Sequence, residues 1–164
     1  PLYSSAASDV YKRQVYIIVL IWALLAGGIT AYNENLLRKG EEILLKVSPV
    51  DPRDFLRGDY VSLRYEINTA SENSDLRGDV YVVLNKNSDK TFGIKEITNK
   101  KPENTVFLRG EKYGKRVTYK GIQQYFVKEG RGRELEKELV KGGLAKVSVD
   151  KNGNARIKEI ITAK

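Results

Sequence analysis

The polar and apolar positions divide the chain into two regimes. Residues 15–32 read VYIIVLIWALLAGGITAY, 18 residues without a charge. As a helix this run spans about 27 Å, close to the hydrocarbon thickness of a bilayer. Tyr16 and Tyr32 lie near its ends, where interfacial aromatic side chains are expected, and Trp22 lies within it. The run is therefore read as a transmembrane signal-anchor. A cleaved signal peptide is the competing reading, but its apolar core is shorter, about 7–15 residues, and no A-x-A site precedes Asn33. Residues 33–40 are expected to continue the helix through Leu36 and Leu37.

Beyond this the period changes from helical to two. Val61, Leu63, Tyr65 and Ile67 alternate with Ser62, Arg64, Glu66 and Asn68, which predicts a strand with one dry and one wet face. An apolar run over 43–47 ends at Ser48-Pro49. Further strands are predicted over 80–84, 92–97, 105–108, 116–119 and 122–127. Residues 131–141 are the one good helix, with Leu135 and Leu139 on one face and Gly142-Gly143 as the stop. A hairpin closes the chain, with strands over 144–149 and 155–162 flanking Asp150-Lys151-Asn152-Gly153. There is no β-α-β alternation. The expected fold class is mainly β (α+β): an N-terminal transmembrane helix, then an antiparallel β-rich domain with one short helix and a C-terminal hairpin. The expected divisions are 1–14, 15–38 and 39–164.

Composition removes whole classes of chemistry from this chain. It has no Cys, no Met and no His. A Ser-His-Asp triad, a thiolate nucleophile, a disulfide and a His- or Cys-ligated metal site all need residues it lacks. No cofactor and no metal are expected, although oxygen-ligated ions stay chemically open. The missing Met and the opening Pro1 suggest that the true start is not in the sequence. Asp9-Val10-Tyr11-Lys12-Arg13-Gln14 resembles a translated sequencing adapter, so residues 1–14 are set aside from fold reasoning.

The net charge is +8. Without residues 1–14, which carry Lys12, Arg13 and Asp9, it is +7. The Lys and Arg residues are interleaved with Glu and Asp rather than gathered in a tail, so nucleic acid is the weaker partner reading. Charge does not orient the anchor, because Lys12 and Arg13 fall in the set-aside segment and Glu34, Glu41 and Glu42 offset Arg38 and Lys39. A single N-terminal anchor ahead of a folded domain most often exports that domain, so an extracytoplasmic domain is expected.

Leu56-Arg57-Gly58-Asp59, Leu76-Arg77-Gly78-Asp79 and Leu108-Arg109-Gly110-Glu111 form a local repeat, each read as a turn with Gly in the turn conformation. The first belongs to the most informative stretch. Pro49 and Pro52 stiffen a loop that carries Asp51, Arg53, Asp54, Arg57 and Asp59 and feeds a strand through Tyr60, Leu63 and Tyr65. The bland reading is an ion-pair and turn network holding the loop to a sheet. The sharper one is a recognition surface. A Ca²⁺ site of Asp51, Asp54 and Asp59 does not match a known loop spacing, and Arg53 and Arg57 oppose a cation.

Gly58-Asp59-Tyr60, followed by Leu63 and Tyr65, resembles the GDYXXLXY family, bacterial membrane-anchored proteins named for that pattern. The preceding Pro49-Val50-Asp51-Pro52-Arg53-Asp54 is similar to the family's lead-in. The later run from Gly121 to Gly130, with Glu134 and Glu136 in the helix, is similar to its second half. The resemblance covers roughly 41–162 together with the anchor. It implies an extracytoplasmic domain on one transmembrane helix and, from relatives that accompany or are fused to multi-pass membrane proteins, a protein partner of that kind. It supplies no enzymatic activity.

The candidate interaction or structural residues are thus Pro49, Asp51, Pro52, Arg53, Asp54, Arg57, Gly58, Asp59, Tyr60, Leu63 and Tyr65, with Tyr125, Glu129, Glu134 and Glu136 secondary. The expected role is a membrane-anchored, non-enzymatic accessory module of the cell envelope, partnered by the membrane and by a protein. The alternatives are a membrane-bound hydrolase, for which Glu129 and Glu134 are the available carboxylate pair, and a surface that binds anionic lipid or nucleic acid. A Ser/Lys signal-peptidase-type site is disfavoured, since its Ser-Met-x-Pro motif needs a Met.

Overall fold

A computed structural model describes residues 5–50, 60–69 and 76–162. The chain divides into two compact units, residues 1–35 and 36–164. Helix α1 spans Ser5–Lys39. Its segment Tyr11–Lys39 is long and apolar enough to cross a membrane, with a mean hydropathy of 2.1 over its most apolar window and none of that window buried. A helix with apolar side chains on every face has no wet side to offer, and lipid is the solvent that suits it.

The second unit is antiparallel β. Strands β1 (Glu41–Val50), β2 (Tyr60–Tyr65), β3 (Gly78–Lys86), β4 (Phe92–Thr98), β5 (Phe107–Tyr113), β6 (Arg116–Tyr119), β7 (Gln124–Phe126), β8 (Gly143–Val149) and β9 (Ala155–Thr162) are joined by one helix, α2 (Gly132–Val140), and by a 3-10 turn at Glu66–Asn68. They form two sheets, β7-β2-β1-β8-β9 and β4-β3-β5-β6. The inward faces meet in one core. Ile43, Leu45, Val47, Val61, Leu63, Tyr65 and Val147 come from the first sheet, and Val80, Val82, Leu84, Leu108, Val117 and Tyr119 from the second. Leu139 of α2 closes one end and is fully buried. The mainly-β expectation, with its helix and C-terminal hairpin, holds throughout.

Strand β1 is longer than its apolar run suggests. It does not end at Ser48-Pro49 but continues to Val50, because it changes partners: Glu41 to Val47 pair with β8, and Val47 to Val50 with β2. Pro49 faces Leu63. The Leu63 N–H donates to the Gln123 carbonyl, on the opposite side, so this pair exchanges no hydrogen bond. The proline's missing N–H therefore falls beyond the end of β8, where no strand needs it.

The reading of Leu108-Arg109-Gly110-Glu111 as a turn is corrected by the structure. All four residues lie inside β5, with Gly110 paired to both Val80 and Tyr119. A Cβ at Gly110 would come 2.8 Å from Val117 Cγ1 and 3.0 Å from the Thr118 carbonyl oxygen. Glycine is there to let two strands and a tyrosine ring close up, not to turn the chain. The predicted strand over 105–108 accordingly becomes β5, starting and ending later. Gly78, in contrast, has a positive φ of 79° just where β3 begins, as a turn glycine should.

The C-terminal hairpin follows its turn chemistry. The Asp150 carboxylate accepts the backbone N–H groups of Asn152 and Asn154, and Gly153 has a φ of 78°. The hairpin tip also reaches the other sheet, where the Arg109 N–H donates to the Gly153 carbonyl at 2.9 Å.

Candidate functional site

Strand β2 carries the motif, and its alternation sorts the motif residues by role. Val61, Leu63 and Tyr65 point into the core, while Tyr60, Ser62 and Arg64 occupy the other face. Tyr65 is 2% exposed and its hydroxyl donates to the Ile122 carbonyl at 2.6 Å. A second buried tyrosine mirrors it from the opposite sheet: the Tyr119 hydroxyl donates to the Ile67 carbonyl at 2.7 Å. Between them the Asn68 amide donates to the Val117 carbonyl and accepts the Tyr65 N–H. The segment after β2 and the segment around β6 are thus laced together by reciprocal bonds, which satisfy four backbone groups along the seam between the sheets. Burial raises both tyrosine pKa values, because a phenolate has no water to solvate it there.

Tyr60 belongs to the outer face. It is half-buried and stands against Phe126 of β7, ring centroids 6.2 Å apart and tilted by 51°. Phe126 is 69% exposed. Tyr125 points the other way, toward the core, opposite Val61. Pro49, Tyr60, Leu63, Tyr65 and Tyr125 are therefore gathered on three neighbouring strands. Glu129 and Glu134 are exposed around the start of α2, where Glu134 pairs with Arg131 at 3.7 Å, and Glu136 is half-buried on that helix. Asp51, Pro52, Arg53, Asp54, Arg57, Gly58 and Asp59 lie outside the described residues.

Two concavities flank this region. A groove of about 450 Å³ runs between β2 with its 3-10 turn and β6, and its lining includes Ser62, Arg64, Lys115, Arg116, Gln123 and Gln124. A smaller cavity of about 160 Å³ sits beside β5, with Asp79, Arg109, Glu111 and Lys120 around it. There the charges answer one another: Arg109 lies 3.7 Å from Asp79, and Glu111 accepts the Tyr113 hydroxyl at 2.8 Å. Among the described residues no group of three or more carboxylates is placed to hold a metal ion.

The groove residues were not singled out from the sequence. Arg64 stands on the wet face of a strand whose alternation is plain, and Gln123-Gln124 fall in the motif's second half, so a signal existed for these. Arg116 and Lys115 join them only through the pairing of β5 with β6 and the bridge between Thr69 and Arg116, which no local pattern announces.

Fold and site together define a two-sheet antiparallel β domain that follows an apolar helix of membrane-spanning length, with the diagnostic strand at the seam between its sheets. The profile of the GDYXXLXY protein family matches residues 22–160, from within the helix to the last strand. The chain belongs to that family. No curated protein and no solved structure matches it.

Proposed function

We propose that the chain is a single-pass membrane protein whose β domain lies outside the cytoplasm and serves as a non-enzymatic interaction module for a protein or envelope component. The observation that carries this reading is the sequel to α1: a helix apolar on all sides leads directly into a domain whose described charged residues, Lys112 apart, stand toward its outer surface. Lys146 lies 3.9 Å from both Glu42 and Glu159, Lys158 also reaches Glu42, and Lys46 lies 2.9 Å from Asp89. Such pairs keep a surface soluble and patterned, which suits recognition.

The absence of cysteine makes the test simple. Lys151→Cys, in the exposed hairpin turn, introduces the only thiol. In intact cells a membrane-impermeant maleimide is expected to label it without lysis, and the chain is expected to stay with membranes through alkaline carbonate washing. Labelling only after lysis overturns the orientation, and release by carbonate overturns the anchor. For the interaction itself, a partner cross-linked in the native membrane should be lost on Arg57→Ala or Asp54→Ala. Unchanged cross-linking by both variants removes the charged stretch 51–59 from the reading.

A further inference from the structure

Where the fold brings opposite charges together on this domain, it pairs them, as with Lys46, Lys146, Lys158, Arg109 and Arg131. Two arginines of the groove between β2 and β6, Arg64 and Arg116, depart from this. Arg64, Lys115 and Arg116 converge on the groove, and no carboxylate is among its described lining residues. Among the described residues neither Arg64 nor Arg116 takes part in an ion pair. The opening exists because β7 is only three residues long: it pairs with Tyr60 to Ser62, so that Arg64 and Tyr65, paired with β1 on one side, have no described strand on the other. Two guanidiniums held on one concave wall repel one another, and an anion placed between them offsets that cost.

We propose that this groove binds an acidic polysaccharide, a glycan chain bearing carboxylate groups. The assignment names the ligand of the module proposed above and rests on that reading. Guanidinium forks match carboxylates bidentately. The remaining wall suits sugar better than protein. Ser62, Gln123 and Gln124 present a hydroxyl and two amides, donors and acceptors for ring hydroxyls. The next row of the same face is the Tyr60–Phe126 pair, whose exposed ring offers a flat surface to the C–H face of a pyranose. A protein partner needs an apolar pocket for an anchoring side chain, and the one apolar side chain among the described lining residues, Leu63, is itself buried in the core.

The test titrates the full chain in detergent micelles with a labelled oligogalacturonate. Parallel titrations use a neutral malto-oligosaccharide of equal length, a polyglutamate peptide of equal charge, and phosphatidylglycerol vesicles. The oligogalacturonate is expected to bind, more weakly as salt rises, and the neutral glycan is not. Arg64→Gln and Arg116→Gln should each weaken binding about tenfold, the loss of one charge-assisted hydrogen-bonded contact. Phe126→Ala should weaken it several-fold without changing the salt dependence. Thermal melts confirm that the variants fold, and Arg64→Gln, on an exposed strand face, serves alone if Arg116→Gln does not. The proposal is overturned if polyglutamate or the vesicles bind as tightly as the glycan, if the arginine variants bind unchanged, or if no glycan binds. A partner that still cross-links in the native membrane when no glycan binds leaves the interaction reading standing and removes only this ligand; loss of both removes both.

Discussion

Tyr65→Phe deletes one oxygen from the dry interior of the domain. The ring stays, so the hydrophobic contribution is nearly unchanged, but the Ile122 carbonyl loses its donor at a residue that is itself fully buried. Leaving a buried acceptor unpaired costs about 1–3 kcal/mol. For a domain of this size, about 4 °C of melting temperature corresponds to each kcal/mol, so a fall of about 4–12 °C is expected. The assay is thermal unfolding of the full chain in micelles, followed by the circular dichroism of its strands. Tyr60→Phe is the internal control. It changes the first tyrosine of the same motif, which stands on the outer face, and should stay within about 0.5 kcal/mol of the parent. A second readout comes from alkaline titration. Tyr65 and Tyr119 have pKa values raised by burial, so the folded state resists ionising them while the unfolded chain ionises near pH 10. Their neutral forms therefore favour the fold fully below about pH 10, and that contribution is lost as pH rises beyond it. Tyr65 and Tyr119 should titrate only on unfolding. The reasoning fails if Tyr65→Phe melts with the parent, or if Tyr65 and Tyr119 ionise near pH 10 in the folded chain.

Three further outcomes follow from the packing. Gly110→Ala forces a methyl against Val117 and the Thr118 carbonyl and should destabilise by about 1–3 kcal/mol, measured as a lower denaturant midpoint. Gly40→Ala places a Cβ against the Ser148 hydroxyl, 2.6 Å from the Leu36 carbonyl oxygen and 2.9 Å from that of Val149, with a loss of similar size. Asp89 has its pKa lowered to about 2, chiefly by the Thr91 hydroxyl and then by Lys46. Its depressed carboxylate contributes stability above about pH 4 that disappears as pH falls toward 2, and Asp89→Asn should flatten that part of the acid-unfolding profile.

Much of this architecture is legible locally. Period two marks β2, apolar runs mark α1 and the β3 core, and Asp150 to Gly153 mark the last turn, because each depends on neighbours in sequence. What local pattern misses depends on pairing. Gly110 has the surroundings of a turn, and only its position between Val80 and Tyr119 shows why glycine is needed inside a strand. Lys112 would be assigned to a wet face, yet it shares the inward face of β5 with Leu108 and Gly110. It is buried there, with its ammonium donating to the Leu76 and Gly114 carbonyls. The site behaves in the same way. Tyr60, Leu63 and Tyr65 are visible as a motif, but their division into one outward and two inward residues comes from the register of β2. Arg64 and Arg116 meet only across two sheets.

The switch of partners along β1 also sets an order of events. Its first half waits for β8, and Glu41 pairs with Val149, about a hundred residues later. The Leu36 carbonyl waits equally long for the Ser148 hydroxyl, which donates to it at 2.7 Å. A growing chain therefore carries its first strand unpaired along most of its length until the final hairpin has left the ribosome. Such long-range closure slows folding and leaves strand edges open to other chains meanwhile. Holding the nascent chain apart from its copies during that interval falls to the cell, and a truncation that removes the last twenty residues is expected to aggregate rather than to yield a smaller domain.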